Sequence, residues 1–247
     1  MKLQQASVLV TGANRGLGHA LVEASLAAGA RRIYATARDP RQLAALVASA
    51  PDKIVPLALD ITDAASLAAA AARATDVSIV FNNAGVLAAY SVLTTSDAEL
   101  ARDFGVNVFG TLAATRAFLP ALERAGAAGG AALVNVLSIT SFASFPAMGG
   151  YAAAKAASYS ITQALRAELA AKRIAVHGVF PGPIDTDMVR GVEMPKTSPA
   201  AVAKAIVDGV ERGSDDIVPD PMGSELFALW QRDAKALERQ FVTMSGL

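Results

Sequence analysis

The chain has 247 residues, a net charge of +0, two histidines and no cysteine. This composition excludes disulfides, cysteine-ligated metals and a thiol nucleophile, and it has no surplus of basic residues to bind nucleic acid or an anionic membrane. With 53% hydrophobic residues and no recognisable signal peptide or membrane span, we expect one α/β domain over residues 1–247, located in the cytoplasm and without a metal site.

A short apolar strand at residues 7–11 opens the chain. A glycine-rich turn follows, Gly12-Ala-Asn-Arg-Gly16-Leu-Gly18, and then a helix to about residue 28. Without side chains at the glycines, backbone N–H groups can approach a diphosphate at the helix N-terminus. The strand, turn and helix together predict a dinucleotide site rather than only a tight turn.

The second predicted strand, residues 33–37, ends without an acidic residue. NAD-binding proteins commonly place an acid there to hold the ribose hydroxyls, but Ala37 occupies the position and Arg38 follows it. Arg15 lies inside the glycine turn, and two guanidinium groups suit a 2′-phosphate. Asp39 weakens this case because it can pair with Arg38. The pattern predicts that NADP(H) is preferred over NAD(H).

The third predicted strand, residues 53–59, contains Pro56. Proline cannot donate a hydrogen bond to a neighbouring strand, so this strand should lie at a sheet edge. Strand 3 is the edge of a doubly wound sheet with the order 3-2-1-4-5-6-7. Asp63 is expected to cap the next helix, which runs to about residue 73.

The fourth predicted strand, residues 77–81, is followed by Asn82-Asn-Ala-Gly85, whose amides should bridge neighbouring strand ends. Ser96 and Glu99 form a capping-box pattern, after which a long helix should carry Asn107 towards residue 120. A buried asparagine needs hydrogen-bond partners, so a packing role for Asn107 stays open beside a functional one. Residues 125–130 are expected to be a flexible connection.

The fifth predicted strand, residues 132–137, ends at Ser138, and a long helix follows from Tyr151. Tyr151 and Lys155 are four positions apart and therefore share one helical face. An ammonium about 4 Å from a phenol would stabilise the phenolate by ~4 kcal/mol, or roughly three pKa units, and burial would oppose this. The expected result is a tyrosine with a pKa near neutrality, suited to proton exchange with a carbonyl oxygen that Ser138 holds.

The pattern of Ser138, Tyr151 and Lys155 resembles the active site of the short-chain dehydrogenase/reductase family. The glycine turn after Thr11, the Asn-Asn-Ala-Gly segment and Pro181-Gly-Pro-Ile-Asp-Thr186 also match this family. The resemblance runs from about residue 7 to residue 218, with Leu137 as a departure where a second serine is frequent. It implies an α/β, doubly wound Rossmann fold with a seven-stranded parallel sheet and helices on both faces.

This resemblance also implies roles for particular residues. Tyr151 would be the acid in reduction and the base in oxidation, Lys155 would tune its pKa and hold the nicotinamide ribose, and Asn107 would order a water chain to Lys155. The implied cofactor-binding residues are Gly12, Asn14, Arg15, Gly16, Leu17, Gly18, Arg38, Asp60, Ile61, Asn83, Ala84, Gly85, Tyr151, Lys155, Pro181, Gly182, Ile184 and Thr186.

The expected substrate pocket lies at the carboxyl ends of the strands and is largely apolar. Its candidate contacts are Thr140, Phe145, Met148 and Met188, with Leu87, Tyr90, Phe142, Pro183, Ile184 and Val189 nearby. We therefore expect an uncharged hydrophobic ketone or aldehyde as substrate. The remaining chain predicts a sixth strand at 174–180, a helix with Ser198 as its N-cap and Pro199 as its first residue, a seventh strand at 217–218 and a C-terminal helical tail at 221–247, with one helix over 222–244.

Other functions share some of these features. A 3-oxoacyl thioester reductase and a non-catalytic NADP-sensing protein are the alternatives on the same fold. A serine hydrolase would need a Gly-x-Ser-x-Gly elbow, which the sequence lacks. A sugar epimerase or dehydratase usually carries a larger C-terminal domain. In the resembling family, alanine-rich helices such as 107–120 and 153–170 pair across a two-fold axis, so we expect a homodimer or homotetramer.

Overall fold

The computed structural model describes residues 1–88, 91–191 and 193–246, and its centre is a seven-stranded parallel sheet with the order β3-β2-β1-β4-β5-β6-β7. This is the predicted doubly wound sheet, and its predicted strand order is confirmed. The strands are β1 Ser7–Val10, β2 Arg32–Ala37, β3 Ile54–Ala58, β4 Ile79–Asn82, β5 Ala131–Val136, β6 Ile174–Val179 and β7 Asp216–Ile217.

The edge position of β3 follows from its proline. Pro56 is paired in register with Ala35 of β2, and β3 has no strand on its other side in the described sheet. The central strands β1 and β4 are buried along their whole length, as expected for parallel strands covered on both faces. The proline therefore sits where a missing N–H donor costs nothing.

Helices cover both faces of this sheet. They are α1 Gly16–Ala27, α2 Ala44–Ser49, α3 Ala64–Arg73, α4 Asp97–Phe104, α5 Thr111–Ala128, α6 Gly149–Ala170, α7 Pro199–Arg212, α8 Pro221–Arg232 and α9 Ala234–Ser245. One core cluster joins α1, α2 and α7 to the sheet, and a second joins α3, α5 and α6 to the opposite face. Neighbouring β4 residues divide between the two cores, Phe81 in one and Val80 in the other.

Side-chain caps begin several helices where the sequence predicts them. Asp63 accepts a hydrogen bond from the backbone of Ala65 at the start of α3. Ser96 and Glu99 complete a reciprocal capping box at α4, and Ser198 caps α7 ahead of Pro199. These local bonds satisfy N–H groups that a helix start leaves without partners.

One prediction around α5 is confirmed and one is wrong. The predicted long helix carries Asn107, and it widens there into a π-helical turn, Gly105–Gly110, without leaving helical geometry. The predicted flexible connection at 125–130 is mostly helical, because α5 continues to Ala128 and only Gly129 and Gly130, with φ of +143° and +135°, leave helical geometry. The small residues at 125–128 allow close packing rather than flexibility.

The C-terminal tail is two helices rather than the single predicted one. Asp233 lies between α8 and α9 with an extended backbone, φ −156°, and its side chain accepts a hydrogen bond from the backbone of Lys235. Asp233 thus ends α8 and caps α9. The break lets Leu237 and Phe241 of α9 pack against Leu226 of α8 and against Ile139, which follows β5.

We predict that Gly126→Ala destabilises the fold. A Cβ at Gly126 would stand 2.2 Å from the backbone oxygen of Lys172, so α5 and the turn before β6 must separate. Overpacking of this kind costs about 1–3 kcal/mol of unfolding free energy, measured by urea denaturation. Gly105→Ala is the matched control, because a Cβ there meets nothing within 4 Å. Equal stability of the two variants would contradict this packing account.

Candidate functional site

A cavity of about 1150 Å³ runs along the carboxyl ends of the strands. Its wall includes every residue that the sequence analysis assigned as catalytic, cofactor-binding or substrate-binding. These are Gly12, Asn14, Arg15, Gly16, Leu17, Gly18, Arg38, Asp60, Ile61, Asn83, Ala84, Gly85, Asn107, Ser138, Thr140, Phe145, Met148, Tyr151, Lys155, Pro181, Gly182, Ile184, Thr186 and Met188. The topology thus brings together segments that are far apart in the chain.

The glycine turn forms one end of the cavity. Gly12 and Gly16 have φ of +67° and +55°, in the left-handed region that glycine adopts at no steric cost. A Cβ at Gly18 would stand 2.1 Å from the oxygen of Gly12, so the turn closes tightly onto the start of α1. Arg15 precedes α1 without a side-chain cap, which leaves the first N–H groups of the helix for an anion. The turn therefore fits a dinucleotide diphosphate.

Hydrogen bonds between strand ends fix the floor of the cavity. The Thr11 hydroxyl accepts from the backbone N–H groups of Asn83 and Ala84, both at 2.9 Å. The Asn83 amide donates to the Thr11 carbonyl at 2.9 Å, and the Asn82 amide donates to the Asn135 side chain at 2.9 Å. The amides bridge β1, β4 and β5 as the sequence analysis predicts.

The two arginines expected at the cofactor ribose behave differently. Asp39 pairs with Arg41, at 2.9 Å, and not with Arg38, which lines the cavity. Arg15 instead forms a 3.1 Å ion pair with Asp187. Both arginines line the cavity, and Asp187 engages Arg15, so their expected place beside one phosphate stays a prediction.

Ser138, Tyr151 and Lys155 meet at the middle of the cavity. Ser138 follows β5, and its Oγ accepts hydrogen bonds from the Thr140 backbone at 3.1 Å and the Thr140 hydroxyl at 2.9 Å. Tyr151 and Lys155 extend from the first two turns of α6 and are only 8% and 6% exposed. Lys155 Nζ donates to the carbonyl of Val136 at 2.8 Å and lies 5.6 Å from the centre of the Tyr151 ring.

Burial sets the protonation of this pair. It raises the pKa of Tyr151 to about 12, and the hydrogen bond with Ser138 offsets only part of that. Burial also lowers the pKa of Lys155 to about 8. The expected Tyr151 pKa near neutrality is therefore wrong for this structure, because loss of solvent is the largest influence on the phenol and the Lys155 ammonium is bonded to the Val136 carbonyl. Tyr151 is a neutral phenol at pH 7, the form that donates a proton.

Asn107 has a packing role that the sequence analysis left open. Its side chain accepts from the Val86 backbone N–H at 3.2 Å and donates to the Val86 carbonyl at 2.9 Å. Its own backbone carbonyl accepts from the Ser158 hydroxyl at 2.8 Å. The buried amide thus fixes the segment after β4 next to Lys155, and its part in a proton path stays a prediction.

The substrate end of the cavity differs from the prediction at Phe142. Phe142 does not line it; the ring packs 4.4 Å from Trp230 and 4.5 Å from Phe180, measured between ring centres. Trp230 therefore has a packing role: its ring joins α8 to the turn after β5. Tyr90, another predicted contact, lies outside the described residues.

Sequence reasoning missed the contribution of the C-terminal helices. Their apolar side chains line the cavity: Met222, Leu226, Phe241 and Met244. Asp220 anchors them, because its carboxylate accepts from the backbone N–H groups of Gly182 and Gly223, both at 2.8 Å. An Asp-Pro pair at 220–221 marks a helix start and would have located this anchor.

The described residues were also compared with the requirements of a metal site and of a membrane-spanning helix. Within residues 1–88, 91–191 and 193–246 there is no group of three or more His, Cys, Asp or Glu side chains that would hold a metal ion. No helix in this part of the chain is both long and apolar enough to cross a membrane.

The sheet, the glycine turn and the buried cluster together define a Rossmann-type dinucleotide-binding protein. A family model described as short chain dehydrogenase matches residues 6–196. The chain therefore belongs to the short-chain dehydrogenase family, as its motifs predict.

Relatives and solved structures agree with this assignment. The chain is 32% identical over 227 residues to the short chain dehydrogenase tazN of Aspergillus terreus, covering 88% of this chain and 49% of the relative. It is 36% identical to a galactitol 2-dehydrogenase (L-tagatose-forming) of Cereibacter sphaeroides, covering 76% of this chain and 74% of that protein.

A crystal structure of a short chain dehydrogenase from Burkholderia cenocepacia in complex with NADP superposes with a TM-score of 0.90 at 40% identity, covering 98% of this chain and 99% of that one. The chain spans only about half to two thirds of the first two curated relatives.

Proposed function

We propose that the chain is an NADP(H)-dependent carbonyl reductase/alcohol dehydrogenase that transfers a hydride to or from an uncharged hydrophobic ketone or aldehyde. The observation that carries this proposal is the position of Ser138, Tyr151 and Lys155. They meet in one cavity, between a turn shaped for a diphosphate and an apolar end formed by α8 and α9.

When bound, the nicotinamide cofactor supplies the hydride that the carbonyl carbon accepts. This chain's residues handle the oxygen. Ser138 donates a hydrogen bond that orients the carbonyl oxygen, and Tyr151 gives its phenolic proton to that oxygen as negative charge develops. The ammonium of Lys155 stabilises the phenolate that remains. In alcohol oxidation the same groups act in reverse.

In the protein without cofactor, Tyr151 is protonated, and the protonated phenol is the form that carbonyl reduction requires. With a pKa of about 12, the side chain carries its proton throughout the physiological range. Oxidation needs the phenolate and should therefore speed up as the pH rises. The deep position of the phenol also keeps water from competing with the substrate oxygen.

We predict that Tyr151→Phe lowers kcat for ketone reduction by at least ~10², the usual contribution of general acid catalysis. Cofactor binding should change only a few-fold, because the ring remains. Tyr159→Phe is the matched control: Tyr159 is on the same helix and packs edge-on against Phe142 and Phe180. Steady-state NADPH oxidation measures both. Wild-type turnover by the Tyr151→Phe variant would refute the role of Tyr151.

A preference for NADP(H) is supported by the end of β2. Ala37 offers no carboxylate to repel a 2′-phosphate, and Asp39 is held by Arg41 and does not pair with Arg38. Arg38 therefore presents a guanidinium to the cavity. The solved B. cenocepacia relative was crystallised with NADP.

We predict that Arg38→Ala removes this preference. Loss of a charge-assisted phosphate contact costs about 1.5–3 kcal/mol, or roughly 13- to 160-fold in kcat/KM for NADPH, with little change for NADH. Arg212→Ala, an exposed arginine at the end of α7, is the charge-matched control. Equal kcat/KM for the two cofactors in the wild type would contradict the proposed preference for NADP(H).

The substrate class follows from the apolar end of the cavity. Phe145, Met148, Met188 and the four side chains of α8 and α9 line it. Covering such a surface with apolar substrate is worth about 25 cal/mol per Å². Glu193, which also lines the cavity, would repel an anionic substrate. A polyol such as the one named for the C. sphaeroides relative would leave its hydroxyls without partners on this surface.

We predict that an aryl methyl ketone is reduced with at least ~10-fold higher kcat/KM than the same ketone carrying a para-carboxylate, from apolar burial and charge repulsion. The panel also contains a steroid ketone, an acetoacetyl thioester and a free keto sugar, each with NADPH. Reduction of only the thioester favours the 3-oxoacyl thioester reductase alternative. NADPH binding without reduction of any member favours the non-catalytic sensor.

We also propose a homodimer or homotetramer. Phe109 is 66% exposed on the π-helical turn before α5, and α6 carries small residues that permit close helix packing.

We predict that Phe109→Asp, which places a negative charge on this surface, dissociates the oligomer if the surface is the interface. Sedimentation at micromolar concentration measures it, and a monomeric wild type would refute the proposal.

A further inference from the structure

The methionines of this chain are concentrated on one surface. The chain has six methionines, and all of them except Met1 line the cavity of the candidate site. They come from separate segments: the turn before α6, the turn after β6, the segment before α7, the first turn of α8 and the last turn of α9. In this order they are Met148, Met188, Met194, Met222 and Met244. We call these residues the methionine wall.

The residues of the methionine wall are not part of the hydrophobic core. The buried residues of the three core clusters are chiefly alanine, leucine, isoleucine, valine and phenylalanine, and none of them is a methionine. Every residue of the wall is half-buried or exposed, and Met188 is 43% exposed. Methionine commonly fills irregular gaps in a core. In this chain it lies instead where a molecule in the cavity would contact it.

The backbone beneath the wall is held in place at α8. The Asp220 carboxylate accepts from the backbone N–H groups of Gly182 and Gly223, both at 2.8 Å. These bonds fix Met222, in the first turn of α8, beside the loop after β6. The position of its backbone is therefore set by the fold.

A second contact fixes the wall at α9. The Phe145 and Phe241 rings pack with 5.6 Å between their centres, which joins the turn that carries Met148 to α9. Met244 packs against the same cluster of α8 and α9 side chains. Because the backbone is fixed at both helices, the freedom to change shape lies in the methionine side chains.

Methionine gives this fixed frame an adaptable lining. Its side chain is unbranched, rotates about three bonds and carries a polarizable thioether, so it conforms to ligands of different outline. Leucine and isoleucine have better-defined rotamers and fit one shape best. The thioether also makes favourable contacts with aromatic rings at about 5 Å, and it is only a weak hydrogen-bond acceptor. Such a lining suits aromatic groups of varied shape.

Building on the proposed function, we propose that the methionine wall makes the site tolerant of substrate shape and selective for aromatic ketones. The wall adapts to each ring system and places thioethers against it, while Ser138, Tyr151 and Lys155 act on the carbonyl group in every case. The methionines are thus specificity-determining residues that contact the substrate and take no part in proton transfer.

The test that needs no turnover is NMR of protein labelled with ¹³C at the methionine methyl groups. The protein is saturated with NADP⁺, which has no hydride to give, and is titrated with acetophenone or 2-acetylnaphthalene. Signals of the wall should move with both ketones, because the bound ring shifts nearby methyl resonances. Met1 packs against the core cluster of α1, α2 and α7, so its signal is the internal control and should not move.

Single leucine variants, beginning with Met148→Leu, assign the NMR signals. Calorimetry of the same samples measures ketone binding independently. Binding of both ketones with unmoved wall signals overturns the proposal, and movement of the wall signals with either ketone alone also overturns it, because an adaptable wall contacts both.

A kinetic test measures how strongly kcat/KM depends on substrate shape. The series is acetophenone, propiophenone, 1-tetralone, 2-acetylnaphthalene and benzophenone, each with NADPH. The double variants Met148→Leu/Met188→Leu and Met222→Leu/Met244→Leu conserve side-chain volume and should fold. Each should widen the range between the best and worst ketone by at least ~5-fold, because a less adaptable side chain is overpacked by some members.

Val242→Met is the matched control for the leucine variants. Val242 is 40% exposed on α9 and does not line the cavity, so an added methionine there should leave the range of kcat/KM as in the wild type. An unchanged range in both leucine pairs overturns the proposal. If neither pair folds, the methionines are required for packing and the proposal is overturned as well.

Replacement of methionine by norleucine separates flexibility from sulfur. Norleucine keeps the unbranched chain and has a methylene in place of the sulfur. The range of kcat/KM across the series should therefore persist, while the preference for acetophenone over cyclohexyl methyl ketone should fall by ~2- to 10-fold as sulfur–ring contacts are lost. A widened range, or an unchanged preference for the aromatic ketone, contradicts the proposal.

Failure of this inference and failure of the proposed function give different results. If the wild type reduces no ketone but its wall signals move when both ketones bind, the reductase proposal is refuted and the methionine wall stands as the binding surface. If the wild type reduces the ketones while the wall signals do not move, the reductase proposal stands and the role of the wall is refuted.

Discussion

The removal of water from Tyr151 and Lys155 is the constraint on which the site depends. Both side chains are almost fully buried, and burial is the largest of the causes that move their pKa values in opposite directions, to about 12 and about 8. An ammonium tolerates this position only because the Val136 carbonyl accepts its hydrogen bond at 2.8 Å. That carbonyl belongs to the last residue of β5, so the sheet itself holds the lysine in place.

The same strand ends define the rest of the cavity. Thr11, Asn83 and Asn135 hold β1, β4 and β5 in register at their carboxyl ends, which keeps the glycine turn and the Ser138 turn on one wall. Asp220 then ties α8 to Gly182 in the loop after β6. The C-terminal helices line the same cavity as Tyr151, and they supply the apolar surface that the substrate proposal relies on.

The sequence was sufficient for features that depend on local patterns. Pro56 placed β3 at the edge, the caps at Asp63 and Ser198 were predictable, and the glycine turn and Tyr-x-x-x-Lys pair identified the family. Features set by three-dimensional surroundings were not predictable. The pKa of Tyr151 depends on how much solvent the whole fold removes, and the pairing of Arg15 with Asp187 joins residues far apart in the chain. The break at Asp233 and the position of Phe142 against Trp230 likewise arise from packing of the tail, which no motif covers.

The most direct test of this account is the ionisation of Tyr151 itself. Ultraviolet absorbance of phenolate, recorded against pH for the wild type and for Tyr151→Phe, isolates this one side chain when the second curve is subtracted from the first. The account predicts no phenolate from Tyr151 at or below about pH 10, the value at which a solvent-exposed tyrosine is half ionised. One full equivalent of phenolate from Tyr151 at neutral pH would contradict it, since the buried phenol would then not be the proton donor that carbonyl reduction needs.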